Sequence, residues 1–103
     1  MIHVVADLQI KSGNREKYLE AFNALVPEVL AEDGCISYGP TIDIDSGLDV
    51  QPPLNHDLVT VIEQWESVEH LQAHLAAPHM AEFFNGPAGQ LIESISVRVT
   101  QPA

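Results

Sequence analysis

The passage from Glu63 to Phe84 gathers a carboxylate, an indole and three imidazoles: Glu63, Trp65, His70, His74 and His79. Strand spacing puts Glu63 and Trp65 on one face, and helical spacing puts His70 and His74 on one face. An unperturbed imidazole titrates at about pH 6.5, so it takes up a proton readily at neutral pH. Trp supplies a flat apolar wall for an aromatic ligand, and a neighbouring carboxylate can orient an imidazole. The chemistry that these types suggest is proton abstraction from an aromatic substrate. His74 or His79 would be the base and Glu63 its orienting partner. Trp65, Met80, Phe83, Phe84 and, from an earlier strand, Tyr38 would line the substrate space. Backbone donors at the helix start beside His79 would favour an anion or an enolate-like oxygen.

Each of these residues also has a plain structural use. Trp65 can be a core residue whose N–H meets an acceptor, with Glu63 at a sheet edge. His74 can cap a core, and Met80 and Phe84 can pack a helix. Zinc could use His70 and His74 with His79 or Glu63 as a third ligand. The order is Glu69-His70-x-x-x-His74, however, and the His-Glu-x-x-His motif is absent. Cys35 is the single cysteine and has no basic neighbour in sequence, so it reads as structural. The chain shows no phosphate-binding glycine loop, no Ser-His-Asp set, and no flavin or haem signature.

The elements that must position these side chains follow from periodicity. Residues 2–10 alternate, with Ile2, Val4, Ala6, Leu8 and Ile10 on one side, and predict a strand. Lys11-Ser12-Gly13-Asn14 reads as a turn and a helix start. Tyr18, Phe22, Leu25 and Val29 then recur at helical spacing, with Pro27 expected to kink the helix near Asn23 and Gly34 to stop it. Residues 35–44 predict a second strand, with Ile36, Tyr38, Ile42 and Ile44 on one side. Residues 45–56 read as a loop and 57–66 as a third strand. Ser67 is the expected N-cap of a helix running to about Ala76, with Leu71 and Leu75 on its core side. Pro78 opens another helix that ends at Gly86-Pro87, and residues 91–100 form the last strand. The order β-α-β-β-α-(α)-β predicts an α+β, ferredoxin-like split β-α-β fold, with helices on one face of an antiparallel sheet. Leu58, Val59, Val61 and Ile62 place apolar residues on both faces of a strand, which predicts that a second subunit covers the other face.

Composition narrows the partners. The 103 residues suit a single domain over 1–103. The formal net charge is −11, with only Lys11, Arg15, Lys17 and Arg98 basic. Nucleic acid and anionic membranes both need a basic footprint, so neither is an expected partner. The N-terminus lacks a signal-peptide pattern, and no run approaches the roughly 18 apolar residues of a membrane span. A cytoplasmic protein is expected.

The run Ile62-Glu63-Gln64-Trp65-Glu66-Ser67, then His70-Leu71, His74-Leu75 and Pro78-His79-Met80, resembles the signature of the antibiotic-biosynthesis monooxygenase family. It is most similar to the quinol monooxygenase branch. Gly34-Cys35-x-x-Tyr38-x-Pro40, the Pro27-containing helix and Gln101-Pro102 extend the resemblance over nearly the whole chain. It implies a homodimeric α/β barrel with a pocket between sheet and helices. It also implies oxidation of a hydroquinone or polycyclic phenol by O₂ with no metal, flavin or other cofactor. A haem-degrading branch uses a strand-one Asn, where this chain offers Asp7, and its histidine spacing differs. A branch that isomerises a small phosphorylated molecule shares the pattern of His74 and His79 and stands as an alternative, though few basic residues are available for a phosphate. A non-catalytic dimeric ligand-binding domain is the third reading.

Overall fold

The computed structural model describes residues 1–103. Its elements are β1 (Ile2–Ile10), α1 (Arg15–Leu30), β2 (Cys35–Thr41), β3 (Leu58–Trp65), α2 (Val68–Leu75), α3 (Pro78–Asn85) and β4 (Ile92–Thr100), with a 3₁₀ turn at Gly89–Leu91. The strands lie in the order β2-β3-β1-β4, and every neighbouring pair is antiparallel. This is the expected ferredoxin-like α+β arrangement. No helix is long and apolar enough to cross a membrane.

The alternation in β1 is realised as read: Ile2, Val4, Ala6, Leu8 and Ile10 are all buried. Val59, Val61, Glu63 and Trp65 do the same in β3. Tyr18, Phe22, Leu25 and Val29 of α1 close over them. Each large side chain removed from water in this way contributes roughly 1.5–3 kcal/mol. Helix α1 runs through Pro27 to Leu30 without interruption. It ends in a turn at Gly34, whose φ of +80° is open to glycine at little cost.

The structure corrects the reading of β2. The strand stops at Thr41, and of the four residues expected on one face only Tyr38 is buried. Cys35 pairs with Trp65 and Ser37 with Gln64, so Ile36 is the extra residue of a bulge and lies 47% exposed. A bulge breaks the two-residue period, so counting from Tyr38 misplaces Ile36. Ile42 and Ile44 fall in the irregular segment 42–57 and are exposed.

The second sheet face is open in the single chain and mixed in character. Val5 pairs with Ile62, both partly exposed, but their neighbours are the polar pairs Asp7–Thr60 and His3–Gln64. The helical layer itself covers only part of the sheet. Helix α1 lies against β2 and α2 against β3, which leaves β4 at an uncovered edge. Ile95, Val97 and Val99 of β4 are therefore about half exposed on the helix side.

Gly34 is also where the post-α1 turn touches α2. A Cβ at this position would lie 2.3 Å from the His70 ring, which Ser67 Oγ holds at 2.7 Å from Nδ1. Gly34→Ala should combine a strained positive φ with that clash and cost about 1–3 kcal/mol. Urea unfolding measures this as a lower midpoint at constant slope. An unchanged midpoint would mean that the turn reshapes freely.

Candidate active site

Between the sheet and the short helices lies an apolar cavity of about 330 Å³, open on one flank. That is within the range of small-molecule sites, which span roughly 300–1,000 Å³. Val4, Ala6 and Leu8 of β1 form its floor, and Leu71, Met80 and Phe84 its roof. Ile95, Val97 and Val99 of the edge strand make the outer wall. Apart from the Tyr38 phenol, only Glu63 and His74 bring polar side chains to it. None of Lys11, Arg15, Lys17 or Arg98 lines it, and no residue of 42–57 does. That segment is tied down elsewhere: Arg15 Nη1 donates to the Asn55 carbonyl at 3.2 Å, and Asn55 Nδ2 donates to Gln9 Oε1 at 2.8 Å.

His74 is the central group. Helix α2 begins at Ser67, whose Oγ accepts from the His70 N–H, and its inner face presents Leu71 and His74. His74 is 2% exposed. Its Nδ1 meets Glu32 Oε1 at 3.0 Å and Oε2 at 2.9 Å. An ionised carboxylate only accepts, so Nδ1 carries the hydrogen, and in the neutral ring Nε2 keeps its lone pair. The ring lies 4.7 Å from the Trp65 ring and 5.4 Å from Tyr38, which meets it edge-on. The arrangement is an imidazole of fixed orientation in an apolar chamber.

Several sequence readings need correction. Glu63 does not hold His74 by a hydrogen bond; its Oε1 accepts from Trp65 Nε1 at 2.9 Å, a bond between strand neighbours two apart. Glu32 occupies the orienting position instead. Trp65 is wholly buried behind His74 and does not line the cavity, because its indole is committed to Glu63 and to the core. Phe83 turns away toward Tyr18 and Phe22, at 5.9 and 6.0 Å, while Phe84 faces the cavity. Met80 and Phe84 are four apart and so share a helix face, a spacing that was available in the sequence. Leu75, expected in the core, is 62% exposed at the cavity rim, since the two-turn helix points Leu71 and His74 inward instead. His79 lies outside the cavity, in a shallow groove between α1 and α3. There its Nε2 meets Glu32 Oε2 at 2.7 Å and its Nδ1 meets Glu28 Oε2 at 3.2 Å. The zinc set does not assemble: no three His, Cys, Asp or Glu side chains are placed to hold a metal ion. Tyr38 and Met80 both line the cavity.

Glu32 had no local signal. It follows the last turn of α1 in Ala31-Glu32-Asp33-Gly34, which reads as a solvated helix end. The partners that define it are 42 and 47 residues away.

Electrostatics separate the two carboxylates. Burial pushes the Glu63 carboxyl above the usual carboxylate range; the Trp65 bond and nearby His74 oppose this, and Glu32 adds to it. Burial also raises the Tyr38 phenol, with the Glu63 charge reinforcing the effect, so Tyr38 stays neutral. The Cys35 thiol is likewise raised, by burial and then by Glu32 and Glu63, which leaves it unreactive. The Glu63 shift has a sign that can be checked. The folded state holds this proton to higher pH than the unfolded chain, whose carboxyl titrates at about 4.3. Its contribution to stability is thus full below that value and is lost as pH rises through the folded value. Glu63→Gln keeps an acceptor for Trp65 and removes the charge. Its Tm should exceed that of the parent at neutral and alkaline pH and converge with it as pH falls to the unfolded carboxyl value of about 4.3. A thermal melt series across pH measures this, and a constant difference would contradict it.

Known proteins share this architecture. A family model for the antibiotic biosynthesis monooxygenase (ABM) domain matches residues 1–86. A curated relative from Escherichia coli (strain K12), named "Probable quinol monooxygenase YgiN", is 38% identical over 104 residues, covering 99% of this chain and 98% of that protein. The protein of the same name from Shigella flexneri matches to the same extent. A conserved protein from Methanosarcina mazei Go1 superposes with a TM-score of 0.81 at 23% identity, over 99% of this chain and 92% of that one. A crystal structure named antibiotic biosynthesis monooxygenase gives 0.81 at 19% identity, over 100% and 99%. These two structures speak for the fold; the family model and the curated relatives speak for descent. The chain belongs to the antibiotic biosynthesis monooxygenase family.

Proposed function

We propose that the protein is a cofactor-free monooxygenase of a quinol or polycyclic phenol, with His74 as general base. One observation carries the reading: a buried imidazole, tautomer-fixed through Nδ1, borders an apolar cavity with its other nitrogen free. The names of the curated relatives point to the same substrate class. Nε2 would take the phenolic proton. The resulting anion is electron-rich enough to pass an electron to O₂, which accepts electrons singly. The two radicals would then join within the cavity, one oxygen atom entering the ring and the other leaving as water. A quinol plus O₂ thereby yields a hydroxyquinone plus water. Exclusion of water keeps the radical pair together.

Tyr38, Phe84 and Met80 would hold the aromatic rings, and Glu63, with its raised affinity for a proton, would face a substrate oxygen. The absence of a lysine or arginine at the cavity favours an uncharged aromatic ligand over a phosphorylated one, and so favours quinol oxidation over the isomerase reading. A homodimer of these 103-residue domains in the cytoplasm fits the half-exposed outer wall of Ile95, Val97 and Val99, which a second copy would cover.

The test is O₂ uptake with a panel of naphthoquinols and benzoquinols, with chelator present and no cofactor added. Uptake should exceed autoxidation and that of heat-denatured protein. His74→Ala should lower it by about 10²–10⁴-fold. Uptake that persists in the variant would move the base elsewhere, and none above background would refute quinol oxidation for that panel.

A further inference from the structure

Two histidines share one carboxylate oxygen. Glu32 Oε2 lies 2.9 Å from His74 Nδ1 and 2.7 Å from His79 Nε2. His74 is buried at the cavity, whereas the His79 side chain is 22% exposed in the α1–α3 groove. Glu32 itself is largely enclosed, at 13% side-chain exposure. The chain of contacts therefore runs from the cavity to the surface: His74, Glu32, His79, Glu28. The last of these is 60% exposed.

We propose that Glu32 is the positioning residue of the base, and that His79 acts through it, so that the charge on a surface histidine sets the strength of the buried one. The catalytic half of this inference rests on the proposed role of His74; the coupling does not. When a substrate proton arrives at His74 Nε2, the ring becomes an imidazolium whose Nδ1–H faces the Glu32 carboxylate. That charge stabilises the cation and makes His74 a stronger base. The proton stays on His74 until reduced oxygen takes it back, so no group in the chain needs to hop a proton. His79 competes for the same oxygen. In its charged form it neutralises part of Glu32 and weakens the hold on His74; in its neutral form it leaves Glu32 to His74.

The charged and titratable groups around the pair are few. Glu28 and Glu82 share the groove with His79. Glu63 and Tyr38 face His74 from the sheet. Glu63 is held toward its neutral form and the Tyr38 phenol is neutral. Glu32 is thus the one carboxylate in hydrogen-bond contact with both rings.

The signs of the effects are opposed, which separates this role from a merely structural one. Glu32→Gln removes the anion beside His74. The acid limb of the kcat/KM profile should move to lower pH, and kcat should fall roughly tenfold to hundredfold. His79→Gln removes the competitor, and the acid limb should move to higher pH with KM little changed. In the Glu32→Gln background, adding His79→Gln should change nothing. The same shifts can be followed without substrate by ¹H–¹⁵N NMR of the imidazole rings, titrated from about pH 5 to 9. In the parent protein the His74 signals should show a second inflection at the His79 midpoint; in His79→Gln it should vanish. If Glu32→Gln does not fold, the surface variant His79→Gln decides the matter alone. A His74 titration indifferent to His79 would overturn the coupling even if quinol oxidation is confirmed. Coupled titrations without O₂ uptake would uphold it and refute only the oxidation reading.

Discussion

The Glu32 carboxylate is the tie on which the candidate site depends. Helices α2 and α3 have eight residues each, too short to hold their shape or position in isolation. Their place above the sheet comes from packing and from tertiary bonds. Glu32, just past the end of α1, reaches both through His74 and His79. Hydrogen bonds to a charged group are worth about 1.5–3 kcal/mol each, and more is lost when one partner is removed from an enclosed site. The turn that carries Glu32 is held to the next strand end by the Glu66 N–H, which donates to the Gly34 carbonyl at 2.9 Å. Gly34 has no side chain to keep that turn away from His70.

Around this tie the molecule divides its polar groups by environment. Glu63 and Trp65 share a hydrogen bond inside the core, which offsets part of the cost of burying both side chains. Tyr38 stacks on Phe22 at 5.7 Å and meets Trp65 and His74 edge-on. The outcome is a wall of rings with one free imidazole nitrogen. In so apolar a chamber an uncompensated charge is costly. An imidazolium there would need a counter-ion, and Glu32 meets His74 without itself lining the cavity.

The cavity also reflects an imbalance in the sheet. Four strands are wider than the helical layer, and the shortfall falls at β4. Its apolar side chains are left as a wall open on one flank. A longer helix over that flank would fill the cavity.

Much of this was legible in the chain itself. Period-two alternation in residues 2–10 and 58–65 and the 18-22-25-29 stripe depend only on which neighbours share a face, so element type, order and the ferredoxin-like fold followed from local pattern. His74 stood out by residue type and by its place beside Leu75, although it is Leu71 that shares its buried face. What failed locally was β2, where one bulged residue reversed the face of everything counted across it. What could not be read at all was pairing at long range. Glu32 looks like any acidic residue at a helix end, and only the folding of α2 and α3 back over α1 brings its carboxylate to two imidazoles. Likewise, whether Phe83 or Phe84 faces the cavity depends on how α3 is rotated against Tyr18 and Phe22. The sequence by itself determined most of the elements and their order; tertiary structure alone decided which carboxylate meets His74 and which side chains wall the cavity, because side-chain contacts between distant segments leave no periodic trace in the sequence.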